Sequence, residues 1–249
     1  MKNHKVINVM GLNVFSDTLD KIHEKNHCQD ISTINPFSHV RSKNDIIYKN
    51  AIRNADYLTM DGVYFSFASI ILKFKTIKKN QGPEIFKYFI QKANLNKNKI
   101  FLLGSSNDVL IKMKNKLELE FPNIQCSFYS PPYKDEFNDS DLNDMVQRVN
   151  AYSPYYLFIG ISAPKQEKIA YLIKDSLNAK FTIQIGAVFD WYAGTTKEIS
   201  QFWWKLRLGW LIRTIHRPSL LKLYPTILIF IIDVFRARLG NKKLRNGLF

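Results

Sequence analysis

The chain has 249 residues, 46% hydrophobic and 23% charged, which excludes wholesale disorder and allows one large core with an appendage. Its formal net charge of +15 is uneven, because from residue 200 onward ten Lys/Arg are set against Asp233 alone. Such a basic end calls for an anionic partner: a phosphate-rich substrate, a nucleic acid or an acidic membrane face.

The opening stretch, MKNHKVINVMGLNVFS, lacks the apolar core and cleavage site of a secretory leader and reads as a first strand. The next, SDTLDKIHEKNHC, looks helical and sets His23 and His27 four apart beside Cys28. Two such histidines can share a metal, but no HExxH pattern or third ligand accompanies them, so a solvated helix face is expected. Cys28 and Cys126 form no CxxC, which argues against a disulfide framework or zinc ribbon and for a reduced cytoplasmic setting. In NADYLTMDGVYFSFAS an apolar run meets Asp61 and Gly62; the acid can open a turn or act as a base.

Farther on, strands hand over to helices repeatedly, the alternation of a parallel sheet with covering helices. KIFLLGSSNDVLIKMKNKLELEF runs as a strand to Leu103, a turn at Gly104, and a helix burying Val109, Leu110, Met113 and Leu117. The Gly turn can cradle phosphate or simply turn the chain, and the GxGxxG fingerprint is absent. FNDSDLND contains a DxD triplet, Asp139 to Asp141, better explained as a helix cap at Asp139 or Ser140 than as a metal site. PYYLFIGISAPKQEK ends a strand at Gly160 and starts a helix after Pro164, placing Lys165 and Gln166 at the carboxyl edge of the sheet. KFTIQIGAVFDWYAG supplies another strand and loop. Near residue 200 the composition shifts to Trp and Arg at helical spacing, and PTILIFII, bracketed by Lys222 and Asp233, falls short of the roughly 20 residues that span a bilayer.

In this order the segments resemble the WecG/TagA/CpsF family of bacterial glycosyltransferases, from about residue 6 to residue 224. STINP is similar to the family's Thr-x-Asn after its second strand (Thr33, Asn35), and MDGVY to its Asp-Gly motif (Asp61, Gly62). FLLGSS matches the strand and Gly loop (Gly104, Ser105), and ISAPKQEK the Gly-Ala-Pro-Lys-Gln-Glu signature (Lys165, Gln166, Glu167) with Ser162 in place of Gly. IGAVFDWYAG matches the Phe-Asp-x-x-Ala-Gly motif (Gly186, Asp190), and GWLIRTIHRP the Trp-x-x-Arg segment (Trp210, Arg213). Departures are Tyr64 for the second Gly of Asp-Gly-x-Gly, Lys79 for an Arg, Gly209 for the Glu of Glu-Trp and Arg217 for a later Glu.

The resemblance implies a Rossmann-like α/β catalytic domain over residues 1–200 and a basic, aromatic-rich, membrane-associating helical appendage over 201–249. It implies inverting transfer of a hexosamine-type sugar from a UDP-sugar to a polyprenyl-diphosphate-linked sugar, with Asp61 as base and Thr33 and Asn35 beside it. UDP would be stabilised without metal or other cofactor by the Gly104 and Gly186 loops, Gln166, Arg213 and Arg217. The enzyme would sit on the inner face of the cytoplasmic membrane, its oligomeric state open. Two alternatives stay open, a catalytically inactive UDP-sugar-binding module and a nucleic-acid-binding protein; the apolar PTILIFII run argues against the second.

Overall fold

The computed structural model describes residues 4–196, 221 and 224–246. Trp210, Arg213 and Arg217 therefore lie outside the described residues. Eight strands form one sheet: β1 (Val6–Val9), β2 (Leu12–Phe15), β3 (Gln29–Ile34), β4 (Tyr57–Met60), β5 (Lys99–Leu103), β6 (Gln125–Tyr129), β7 (Tyr156–Ile159) and β8 (Phe181–Gln184). Their spatial order is β1-β2-β4-β3-β8-β7-β5-β6, and every neighbouring pair but the first is parallel. This is the α/β architecture expected, with one correction at its start. MKNHKVINVMGLNVFS is a hairpin rather than a single strand, turning at Met10 and Gly11, both with positive φ (52° and 78°). STINP accordingly closes the third strand, not the second.

The described helices are α1 (Pro36–Arg41), α2 (Ile46–Arg53), α3 (Tyr64–Lys73), α4 (Gly82–Leu95), α5 (Asn107–Glu120), α6 (Asp139–Tyr152), α7 (Lys165–Ile173), α8 (Val188–Tyr192), α9 (Tyr224–Arg238) and α10 (Lys242–Arg245). One face of the sheet, with Ile31, Tyr57, Phe158 and Ile183, packs on α4 and α5 through Phe86, Phe89, Leu110 and Met113. The other face is covered in two parts. Ile34, Leu58 and Met60 meet α2, α3 and α9, while Leu103, Leu157 and Ile159 meet α6 and α7. Near-continuous apolar strands such as YLFI are what burial on both faces demands.

SDTLDKIHEKNHC is not a helix: only Leu19–Lys21 makes a short 3₁₀ turn. Leu19 and Ile22 are too few to draw an apolar stripe, and the Asp17 carboxylate accepts from the Thr18 amide (2.9 Å), which favours a turn. His23 and His27 share no helix face. The His23 amide donates to the Tyr57 hydroxyl (3.2 Å), whereas the His27 ring pairs with Asp56 at 3.1 Å.

Helix α9 carries the whole of PTILIFII, and it divides the run. Phe230, Val234 and Ala237 are buried against the body, whereas Leu228, Ile229 and Ile232 are exposed. The Phe230 ring sits 4.8 Å from that of Phe65 and 5.3 Å from His39. Beneath it the buried Asp233 carboxylate accepts from His39 Nε2 (2.9 Å) and from Lys43. Burial alone would raise that carboxyl's pKa, but the two donors outweigh it and hold it below the usual carboxylate range. Among the described residues no helix is long and apolar enough to cross a membrane.

Candidate active site

Because seven strands run parallel, their carboxyl ends share one edge, and most of the expected site residues lie along it. β3 pairs with β4 so that Thr33 is opposite Thr59 and Ile34 opposite Met60. With side chains alternating, Thr33, Asn35, Thr59 and Asp61 fall on one face of the sheet, the face covered by α4. The Asp61 amide donates to the Ile34 carbonyl (2.9 Å), extending the ladder one residue and fixing where its carboxylate begins. Oδ1 of that carboxylate accepts from Nε2 of Gln81, at the N-terminus of α4, at 3.1 Å. Gly62 follows with φ of +78°, which lets the chain leave β4 sharply for α3. Asn35 is itself the cap of α1, its Oδ1 accepting from the Ser38 amide at 3.1 Å.

Four strand intervals away, about 19 Å along the edge at roughly 4.8 Å each, β5 ends at Gly104. Its φ of +105° demands glycine, and a methyl there would overlap the side chain of Ile161. Ser105 is also in the left-handed region (φ +61°), and Ser106 caps α5. Between β4 and β5 lie β3, β8 and β7. After β8, the Gly186 amide donates to Gln166 Oε1 at 3.0 Å, tying that loop to the start of α7. The Gly104 amide is likewise engaged, by the Tyr129 carbonyl at 3.0 Å. These two amides therefore hold the loops in shape rather than standing open as donors for a diphosphate.

A family model described as "Glycosyl transferase WecG/TagA/CpsF family" matches residues 5–244, nearly the whole chain. The chain belongs to the WecG/TagA/CpsF family of glycosyl transferases. Its curated relatives include an N-acetylglucosaminyldiphosphoundecaprenol N-acetyl-beta-D-mannosaminyltransferase of Bacillus subtilis (strain 168), 26% identical over 213 residues, 86% of this chain and 81% of the relative. A protein of the same description from Staphylococcus aureus (strain MRSA252) is 26% identical over 198 residues, 80% and 76% of the two chains.

In this WecG/TagA/CpsF glycosyltransferase the remaining expected site residues divide by burial. Lys165 turns toward the loop after β6, donating to the Lys134 carbonyl (2.6 Å) and pairing with Asp135 (3.5 Å). Asp190 lies on α8, where its carbonyl receives the Thr195 amide (3.0 Å). Lys79 is exposed in the segment leading to α4. Glu167 is buried, so it reaches substrate only through others: its Oε1 accepts from Gln166 Nε2 at 2.9 Å, and Oε2 has no hydrogen-bond partner among the described residues. Burial pushes its carboxyl up to about 7.

The sign of that shift gives a prediction. A carboxyl raised in the fold stabilises the folded state fully below its unfolded value and loses that contribution as pH rises through the folded one. Denaturant melts should show wild-type stability falling from pH 4.5 through about 7, by up to about 3 kcal/mol. Glu167→Gln should flatten this part of the profile, the difference isolating Glu167 from Asp30, whose carboxyl burial pushes up to about 6. Identical profiles for the two proteins would show that Glu167 titrates normally.

The acidic triplet caps a helix, one residue earlier than expected. Asn138 is the cap, accepting from the Asp141 amide (2.9 Å), and the Asp141 carboxylate answers the Asn138 amide (3.1 Å) while pairing with Lys134 (2.7 Å). Gln81 was missed by sequence reasoning. Its signal lies in QGPE, where Pro83 in the first turn and Glu84, whose carboxylate accepts from the Gln81 amide (3.0 Å), mark a helix start facing Asp61.

Proposed function

We propose that this glycosyltransferase moves an N-acetylmannosamine-type sugar from a UDP-sugar to a polyprenyl-diphosphate-linked sugar, with inversion, in the assembly of a cell-surface polymer. The observation that carries this reading is the placing of Thr33, Asn35 and Asp61 on one face at two adjacent strand ends, with Gln81 orienting the carboxylate. The relatives' descriptions support the lipid-linked acceptor and the sugar class.

A sugar hydroxyl is a poor nucleophile at neutral pH. Asp61 takes its proton as the oxygen attacks the anomeric carbon from the face opposite UDP, so one displacement inverts that centre. Gln81 holds one carboxylate oxygen, leaving the other for the incoming hydroxyl. Thr33 and Asn35 orient the sugar beside it. The departing diphosphate is met across the edge by the Ser105–Ser106 turn at the N-terminus of α5, whose shape the engaged Gly104 amide holds, while Gln166 fixes the Gly186 loop beside it; Arg213 and Arg217 add paired hydrogen bonds to phosphate. The enzyme works at the inner face of the cytoplasmic membrane, where a lipid-linked acceptor is found.

Purified enzyme screened against a panel of UDP-sugars, with a short-chain polyprenyl-diphosphate sugar as acceptor, tests the reading. Transfer from UDP-N-acetylmannosamine giving a β-linked product from the α-linked donor is the expected result. Binding without turnover on every acceptor would leave a sugar-nucleotide-binding module instead. Activity should also survive EDTA, because Asp141 is engaged by Lys134 and the Asn138 amide at a helix start that Asp139 opens. Loss on chelation, restored by Mn²⁺ or Mg²⁺, would return them as metal ligands.

A further inference from the structure

Two helices beside Asp61 each carry an exposed apolar stripe. On α3 and the residues flanking it these are Val63, Phe67, Ile70 and Phe74; on α9 and the residue after it, Leu228, Ile232, Phe235 and Leu239. Both sets are spaced 4-3-4, which places each on a single side of its helix. Exposure runs from 41% at Phe67 and Ile232 to 87% at Leu239, while the opposite sides, Phe65 and Ala68 on one and Phe230 and Val234 on the other, fill the core.

The helices lie side by side and run the same way. Phe65 near the start of α3 packs against Phe230 of α9, and at the far end the Arg238 guanidinium lies 5.3 Å over the Phe74 ring. Since α3 leaves β4 directly after Asp61 and Gly62, one end of this paired surface is the edge of the candidate site.

Charge selects the occupant. Residues 62–83 hold Lys73, Lys75, Lys78 and Lys79 and no acid. Residues 224–246 hold Arg236, Arg238, Lys242, Lys243 and Arg245, and their single acid, Asp233, is buried under His39 and Lys43. An apolar surface in an acid-free basic rim suits an anionic lipid interface, while a second copy of the same face would set like charges together.

We infer that α3 and α9 form one composite membrane-docking face, so that part of the catalytic body, and not the basic tail alone, enters the headgroup layer and brings the carboxyl edge of β4, where Asp61 begins, to the lipid boundary. This rests on the reading of a lipid-linked acceptor. The aromatic and aliphatic stripes reach the acyl boundary, and the flanking lysines and arginines stay at the level of lipid phosphates.

Co-sedimentation of the full chain with vesicles of phosphatidylglycerol and phosphatidylcholine tests this. Phe67→Asn combined with Ile232→Asn, one exposed position on each helix, should weaken vesicle binding at least about tenfold. Turnover on a water-soluble short-chain acceptor should stay within about twofold of wild type. Independently, Ile70→Cys carrying an environment-sensitive fluorophore should shift to the blue on adding vesicles, because Cys28 and Cys126 are buried and leave the new thiol as the labelling point among the described residues. The same label at Leu119→Cys on α5 should not respond. Unchanged sedimentation of the double variant, or a silent label at residue 70, overturns the inference. So does a wild-type dimer that the double variant dissolves without loss of vesicle binding, which would make the face a contact between copies. Failure of every UDP-sugar assay alongside a normal vesicle result would instead remove the catalytic reading and leave the docking face standing.

Discussion

Asp61→Asn should lower turnover at least about a hundredfold while leaving UDP-sugar binding nearly unchanged. The substitution keeps the side chain's size. It also keeps an oxygen to receive the Gln81 Nε2 bond seen at 3.1 Å, so the positions of β4 and α4 need not change. What it removes is basicity, and a general base of this kind contributes roughly 10²- to 10⁴-fold. An interaction made only as the proton moves should appear in kcat and kcat/KM together, with KM little altered. Turnover within about threefold of wild type would remove Asp61 from the role of base.

The largest expected effect on stability lies at Phe230. Its side chain is fully buried between His39 and Phe65, so Phe230→Ala should cost about 3–5 kcal/mol, the lost transfer energy plus the cavity left behind. A domain with a net stability of roughly 5–15 kcal/mol loses much of it in that one change. Urea denaturation followed by circular dichroism measures the loss. A cost below about 1 kcal/mol would mean that α9 is not seated on the body in solution. Ending the chain near residue 200 removes Phe230, Val234, Ala237 and Asp233 together. Such a truncation should therefore destabilise the body as well as weaken lipid binding, and it cannot separate the two effects as surface substitutions on α3 can.

The parts of the fold legible in the sequence were those with strong local periodicity. β5, its turn and α5 stand where the spacing of Val109, Leu110, Met113 and Leu117 places them, because a 14-residue helix repeats its apolar face several times. SDTLDKIHEKNHC misled because its charged residues suit a helix while its two apolar residues cannot anchor one. The hairpin at Met10–Gly11 was hidden by Met, an uncommon residue at positive φ. At the site, the glycines and Asp61 could be placed on loops after strands from local pattern alone. Their neighbours could not: the Gln81–Asp61 bond spans 20 residues and the Asp233–His39 pair 194, and no local periodicity carries such pairings.

The place of β3 in the sheet bears on how the catalytic edge comes into being. β3 lies between β4, about 25 residues later in the chain, and β8, about 150 residues later, with Gln29 opposite Phe181 and Ile31 opposite Ile183. Across that seam Ser32 donates to Gln184. The contact closes a very long loop, and long-range parallel pairing is entropically slow to form. A nascent chain thus holds Thr33, Asn35 and Asp61 long before β8 exists to brace them. Maturation of the site should consequently coincide with docking of β8, a late step in folding, and a chain interrupted before Phe181 would carry the proposed base, Asp61, without a finished edge on which to use it.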